Sequence, residues 1–448
     1  MGLTDKEGGI LGKATTSDGV LPSGSPYRIE VPSNWSGVLL LLARPIPQDP
    51  DDPPWGRDGR LVDALLAHGY AVAGSVNRVF WPLERAFADH AALLDAFEQG
   101  VGRPERTIAV GTSIGGIMTA GLVQIAPERL SGALPLCGNL AGAVATHNRE
   151  LDIAFVVKTL LAGDSPLDVV RIGQPEANFR LARALLADAQ TTAAGRARLA
   201  LAAAVGNIPG WHDPSSPEPA ADDFAARQSN QFRWYEEVCF LVFFWARAQV
   251  ERQAGGNPSW NTGVDYSEFL ENSISREMVD ALYEEAGLRL DTELEALAVA
   301  PRIAADPGAV AYLERHIVFN GDLGEVPVLT VHSDGDGLVT PDNERAYADV
   351  VDWADQSALL RQLYVHRGGH CTFALAETLV ALRALVDRVE TGRWPELDPD
   401  TLNAAAAAVG PKMSVLQSGA PVKPAYFDFE PWRPSRPYDV RSTAGTDG

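Results

Sequence analysis

Gly111-Thr112-Ser113-Ile114-Gly115 sets a serine between two glycines at the joint of two kinds of local sequence. Ahead of it runs Arg106-Thr107-Ile108-Ala109-Val110, short, apolar and β-branched like a buried strand. Behind it, Gly116 to Ala126 carries apolar residues at helical spacing. Strand, G-x-S-x-G, helix is the pattern of a nucleophile elbow, which exposes the serine hydroxyl on a sharp turn. Glycines flank such a serine because side chains there would collide with the neighbouring strand and helix. The chemistry on offer is attack on an acyl carbon. It needs a histidine to take the serine proton and an acid to hold that histidine.

A serine elbow in an open α/β sheet takes its partners in the chain order serine, acid, histidine. Of the eight histidines, only His366 and His370 follow a plausible acid turn. His370 comes after Gly368-Gly369 and directly before a helical stretch, where an imidazole can swing over the sheet edge toward Ser113. His366 and His370 as metal ligands four apart are disfavoured, because two glycines between them argue against a helix. The acid turn reads Val331-His332-Ser333-Asp334-Gly335-Asp336-Gly337-Leu338-Val339-Thr340-Pro341. Asp336 is the candidate acid, with D-x-x-V and then proline following it, while Asp334 is expected to shape the turn. Backbone N–H donors for a developing oxyanion are expected from Ile114 and from the loop Ala43-Arg44-Pro45-Ile46-Pro47. Prolines have no N–H, which leaves Ile46 or Arg44.

These residues need a scaffold, and the periodicity supplies one. Tyr27 to Val31 alternates like an early strand, and Val38 to Leu42 is apolar throughout, like a central strand buried on both faces. Helical patterns at 60–68 and 80–99 alternate with strands at 70–75, 106–110 and 132–136. Such alternation predicts a doubly wound, mostly parallel sheet. After Gly138 the pattern turns helical to about Gly324, including an amphipathic segment over 182–201 and the aromatic stretch Phe232 to Trp245. Sheet patterning resumes at 326–331 and 359–365, with a closing helix at 372–389. The predicted division is a core over 17–139, a helical cap over 140–324, the rest of the core over 325–395, and a C-terminal extension over 396–448 packing on the body with a disordered end. The cap is expected over the carboxyl ends of the strands, where open α/β sheets bind ligands.

Of the 448 residues, 46% are hydrophobic and the formal net charge is −22. A field of that sign repels phosphate backbones and excludes nucleic acid as an expected partner. The longest strongly apolar run, Val238 to Ala246, falls far short of the roughly 20 residues of a membrane span and reads as a buried helix. Met1 to Thr16 shows no apolar core after a basic segment, so the expected compartment is the cytoplasm, or the exterior if a leader has been removed. There is no Walker A, no dinucleotide fingerprint and no Cys/His cluster, so no cofactor or metal is expected. Three cysteines are too few for a disulfide framework.

The chain resembles capped α/β-hydrolases of actinobacterial type, described as hydrolases, esterases or prolyl-peptidase-like enzymes. The resemblance is carried by G-Y-A-V-A-G-S at 69–75, G-T-S-I-G-G at 111–116, G-A-L-P-L-C-G at 132–138, N-T-G-V-D-Y at 261–266, V-L-T-V-H-S-D-G-D-G-L-V at 328–339 and L-L-R-Q-L-Y-V-H-R-G-G-H-C-T-F at 359–373. It implies an α/β-hydrolase fold with a large helical cap insertion and a Ser113-Asp336-His370 triad. It also implies a small-molecule substrate. Cys137 and Cys371 would be close in such a fold, either bridged or as two buried thiols. Where relatives carry His-Gly before the oxyanion donor, this chain has Arg44-Pro45, and Arg44 is a candidate for favouring anionic substrates. Trp234 and Tyr266 are further candidates for lining the substrate pocket. The expected activity is hydrolysis of carboxylic esters through an acyl-enzyme, with amide or peptide bonds as the second reading and a non-catalytic binding protein as a remote third.

Overall fold

The computed structural model describes residues 14–44, 54–56, 59–77 and 79–439. Among them, nine strands form one sheet: β1 (Thr15–Val20), β2 (Pro26–Val31), β3 (Val38–Ala43), β4 (Ala71–Ser75), β5 (Arg106–Thr112), β6 (Gly132–Leu136), β7 (Val328–Gly335), β8 (Leu360–Gly368) and β9 (Tyr426–Phe427). Their order across the sheet is β1-β2-β4-β3-β5-β6-β7-β8-β9. From β4 to β8 neighbouring strands run parallel, while β1, β2 and β9 pair antiparallel at the two edges. Burial follows composition. The VLLLLA of β3 is buried at every position, and the TTSDGV of β1 lies exposed along the rim.

Helices cover both faces, which makes this an α/β-hydrolase fold with helical insertions. Helix α1 (Gly59–Ala67) lies on one face, with α2 (Leu83–Gly100) and α3 (Ile114–Ile125) on the other. Between β6 and β7 the chain leaves the sheet for α4 (Ala143–Leu161), α5 (Pro175–Gln190), α6 (Ala193–Val205), α7 (Phe224–Trp234), α8 (Arg247–Ala254), α9 (Tyr266–Glu271), α10 (Arg276–Glu285), α11 (Leu290–Val299) and α12 (Pro307–Arg315). Then α13 (Asp342–Trp353) follows β7, and α14 (Leu375–Thr391) and α15 (Pro399–Val409) follow β8. No helix of the described residues is long and apolar enough to cross a membrane.

The insertion has its own core, built around α6. Leu199 to Ala204 are 0% exposed, the alanines being small enough for several helices to close on them. The amphipathic stretch expected over 182–201 is two helices, because the chain turns at Thr191-Thr192. There the Thr192 hydroxyl caps α6 by accepting the Gly195 N–H at 3.0 Å. The apolar run at 238–246 is buried but not regularly α-helical: Tyr235–Cys239 and Val242–Ala246 are π-helical turns. The wider turns free a carbonyl, and the Asn178 side chain donates to Phe244 O at 3.2 Å. The C-terminal segment does more than pack. Tyr426 and Phe427 extend the sheet, pairing with Val365 and Tyr364 of β8. The disordered end expected beyond it lies outside the described residues, from residue 440 onward.

Candidate active site

Strand β5 ends at Thr112 and α3 starts at Ile114, leaving Ser113 alone at the bend. Its φ of 57° and ψ of −122° lie where side chains are rarely accommodated. The flanking glycines answer to close approach. A Cβ on Gly111 would fall 2.2 Å from Gly115 O, one on Gly115 2.0 Å from Ala43 O, and one on Gly116 2.5 Å from the Gly138 Cα. The Ser113 N–H donates to Leu136 O at 2.9 Å, which extends the β5–β6 pairing up to the serine itself.

Ser113 Oγ lies 2.8 Å from His370 Nε2, and His370 Nδ1 lies 2.6 Å from Asp336 Oδ2. Asp336 is fully buried, and its Oδ1 accepts the N–H groups of Leu338 and Val339, each at 3.0 Å. Every neighbour of this carboxylate is a donor, so it acts as an acceptor and the proton between it and His370 sits on Nδ1. Nε2 then faces the serine as an acceptor. The three sequence candidates therefore meet in one hydrogen-bonded chain, with His370 18% exposed at its open end.

The loop that carries His370 is held from several sides. Gly369 donates to Gly335 O at 3.2 Å, the Ser333 hydroxyl donates to Gly369 O at 3.0 Å, and Thr372 Oγ1 donates to Gly368 O at 2.8 Å. Cys371 is disulfide-bonded to Cys137, with Cα atoms 5.5 Å apart, so of the two arrangements left open by sequence the bridge is the one present. The insertion leans on the same loop. A Cβ on Gly368 would fall 2.8 Å from the Trp211 ring, and Gly369 faces His212 O and Pro214.

Asp334 does not shape the turn as expected. It reaches across to β8, accepting the Arg367 N–H at 2.9 Å and bonding His366 Nδ1 at 2.7 Å. Turn-shaping falls to Asp336, through the two N–H groups above. His366 thus belongs to a separate pair on the strand surface. Cys137, Cys371, Asp336 and His370 cluster closely, yet the sulfurs bond each other and the other two are committed to one another, a poor donor set for a metal.

Ile114 opens α3, where an N–H has no carbonyl partner within the helix. Ile46, the other expected donor, lies outside the described residues. Arg44 is half-buried beside the elbow, its guanidinium 3.5 Å from Thr112 Oγ1 and 3.4 Å from Trp55 O, and burial pulls its pKa down to about 10. Trp234 and Tyr266, expected at a substrate pocket, are packing residues instead, 1% and 2% exposed. The Trp234 indole donates to Trp211 O and packs against Gly337, while the Tyr266 hydroxyl is shared with Asn261 and Asp152. Both are aromatic, a residue type that serves core and pocket alike.

Sequence reasoning passed over His332 and Glu344, both 0% exposed directly behind Asp336. A signal existed: Thr330 and His332 put two polar residues on one face of β7, alternating with the apolar Leu329 and Val331. The Trp211–Pro214 brace left no such trace.

No protein-family model matches the chain. It is 32% identical over 430 residues to the o-phthalyl amidase of Xanthobacter agilis, covering 88% of this chain and 91% of that one. Among solved structures it is similar to feruloyl esterase B from Aspergillus oryzae, with 14% identity, a TM-score of 0.40, and 84% and 81% of the two chains covered. It is also similar to the rice cell wall degrading esterase LipA from Xanthomonas oryzae, with 13% identity, a TM-score of 0.33, and 84% and 88% covered. By its likeness to the amidase over nearly its full length, the chain belongs to the family of the Xanthobacter agilis o-phthalyl amidase.

Proposed function

We propose that the protein is a serine hydrolase that cleaves carboxylic amide or ester bonds through an acyl-enzyme on Ser113. The observation that carries this reading is the chain Ser113 Oγ, His370, Asp336, with links of 2.8 and 2.6 Å. His370 Nε2 takes the serine proton as Oγ attacks the acyl carbon. The resulting imidazolium is stabilised by Asp336, and the proton passes to the departing amine or alcohol. Water then repeats the sequence on the acyl-enzyme. The Ile114 N–H, at the positive end of α3, serves the oxyanion. The helices over 140–324 act as the cap, holding the His370 loop through Trp211 and Pro214.

Amides are favoured over the esters expected from sequence by one observation, the name of the 32% identical relative. A phthalyl group is an aromatic acyl group with a carboxylate ortho to the carbonyl. Arg44, next to Thr112, supports an acyl group of that kind here. The test is fluorophosphonate labelling, followed by benzoyl and 2-carboxybenzoyl anilides and their p-nitrophenyl esters. Labelling at Ser113, absent from Ser113→Ala, is expected; its absence from the wild type would defeat the catalytic reading. Arg44→Ala is expected to raise KM about tenfold for the carboxylated substrates only. An equal change for the neutral ones would remove Arg44 from recognition.

A further inference from the structure

Behind Asp336 lies a second set of polar groups, centred on buried side chains, that the proposed reaction does not touch. His332 on β7 places Nδ1 3.0 Å from Glu344 Oε1 and Nε2 2.8 Å from Val339 O. Its Nε2 is also 3.8 Å from Asp336 Oδ2, the oxygen that holds His370. Glu344 Oε2 accepts the Thr330 hydroxyl at 2.5 Å and the Gln362 side-chain N–H at 2.7 Å. His332, Asp336 and Glu344 are all 0% exposed.

Resting on the reading of Ser113, His370 and Asp336 as a triad, we propose that His332, held as an imidazolium by Glu344, is a positioning residue that keeps Asp336 ionised and aimed at His370. The proton count supports the cation. Val339 O can only accept, so Nε2 carries a proton. Glu344 already receives two donors on Oε2, which favours a carboxylate, and a carboxylate facing Nδ1 requires a proton there too. Burial alone pulls His332 down, but the Glu344 bond, the Glu344 and Asp336 charges and Val339 O outweigh it, and the imidazole is raised above its ordinary value.

The charges then pair off. Glu344 neutralises His332, and Asp336 keeps one negative charge for the His370 imidazolium that forms during attack. With the cation 3.8 Å behind it, Asp336 does not draw the proton off His370 Nδ1. The other groups facing this cluster are Asp342 on α13, bonded to Thr340 Oγ1 at 2.6 Å, and Arg149 on α4, which donates to the Leu338 and Gly337 carbonyls. Tyr347 and Tyr364 also pack near Glu344, with phenols that burial pushes up and keeps neutral.

The test is the pH profile of kcat/KM. Losing the cation in His332→Gln leaves Glu344 as an uncompensated negative charge and favours the His370 imidazolium. His370 must be neutral to act as base, so the acid-side midpoint is expected to rise by about one pH unit, with kcat down about tenfold and KM within about twofold. The double variant His332→Gln/Glu344→Gln removes both charges and is expected to return the midpoint to the wild-type value. Activity lost with no movement of the midpoint, or a double variant that leaves it displaced, would overturn the proposal.

If His332→Gln does not fold, nitrogen NMR of the ¹⁵N-histidine-labelled wild type decides. A His332 ring, assigned through its contacts to Thr330 and Val339, is expected to keep both protons at pH values where an ordinary imidazole has lost one. A neutral ring there would refute the proposal. Fluorophosphonate labelling of wild-type Ser113 tests the triad by itself, so failure of the triad and failure of His332 give different results.

Discussion

Ser113 holds a backbone conformation that a side chain disfavours, with φ 57° and ψ −122°, and nothing in its packing requires a serine there. Strain of this kind costs of order 1–3 kcal/mol and is tolerated where the surrounding fold imposes it. Ser113→Gly is therefore expected to raise stability by about 1 kcal/mol in urea denaturation while lowering turnover by at least about 10³-fold. Equal stability would mean that the turn is relaxed with serine in place. The residues of this site were legible because each sits in a turn that sequence marks: glycines around Ser113, Gly368-Gly369 before His370, and D-x-x-V after Asp336. His332 was not singled out, since a histidine in a strand becomes significant only when its partner is known. That partner, Glu344, lies on α13, the next helix, and meets His332 only once the chain has turned back after β7.

At the scale of elements, two devices fix the end of β8 and the start of α14. The first is the bond between Cys371 and Cys137, which ties the residue beside His370 to the one after Leu136, where the Ser113 N–H is anchored. Reduction of this bond is expected to lower kcat about tenfold with helicity unchanged, and reoxidation to restore it; a reduced protein of full activity would leave the hydrogen bonds of the loop as its sole supports. The second is Glu377, 0% exposed. It receives the Arg367 guanidinium at 2.7 and 3.0 Å, the Ala374 N–H at 2.6 Å and the Ala425 N–H at 2.9 Å. One carboxylate thereby joins β8, the first turn of α14 and the segment leading into β9. Glu377→Ala strands a buried guanidinium and is expected to cost about 3–5 kcal/mol of unfolding free energy, measured in urea. A loss near 1 kcal/mol would show that water reaches Arg367. Strands β3 to β8 could be read from apolar runs because both faces are covered. β9 could not, since two residues have no period and their pairing with β8 depends on Glu377 and Asn403 holding Ala425 and Tyr426 in place. The π-helical turns were hidden for a related reason: an aromatic run fills an α and a π turn with the same residues, and the Asn178 bond to Phe244 O in the second turn depends on a residue far away in sequence.

Across the whole molecule, the C-terminal segment spans from the sheet to the insertion. Tyr426 and Phe427 pair with β8, while Arg436 reaches Asp152 on α4, donating to both carboxylate oxygens at 3.0 and 2.9 Å and also to Trp260 O. Tyr438 adds a bond to Glu314 at 2.6 Å. Asp152 is 1% exposed, and burial lifts its pKa to about 6, with Arg436 and the Tyr266 hydroxyl pulling the other way. Because the folded protein holds this proton more tightly than the unfolded chain, the carboxyl's contribution to stability falls as pH climbs from about 4 to about 6 and stays low above that. Removing Arg436 takes away the main charge that opposes burial, so the Asp152 pKa moves higher still. Arg436→Ala is thus expected to destabilise by about 2–4 kcal/mol at about pH 8, where the carboxyl is either unpaired or forced to bind a proton, and by less than about half of that at about pH 5. Denaturation midpoints of variant and wild type at the two pH values measure the difference, and Asp152→Asn in the variant background is expected to remove it. Equal penalties at both pH values would make the strap a matter of Arg436 stacking on Trp260, whose ring lies 5.1 Å from the guanidinium, rather than of charge.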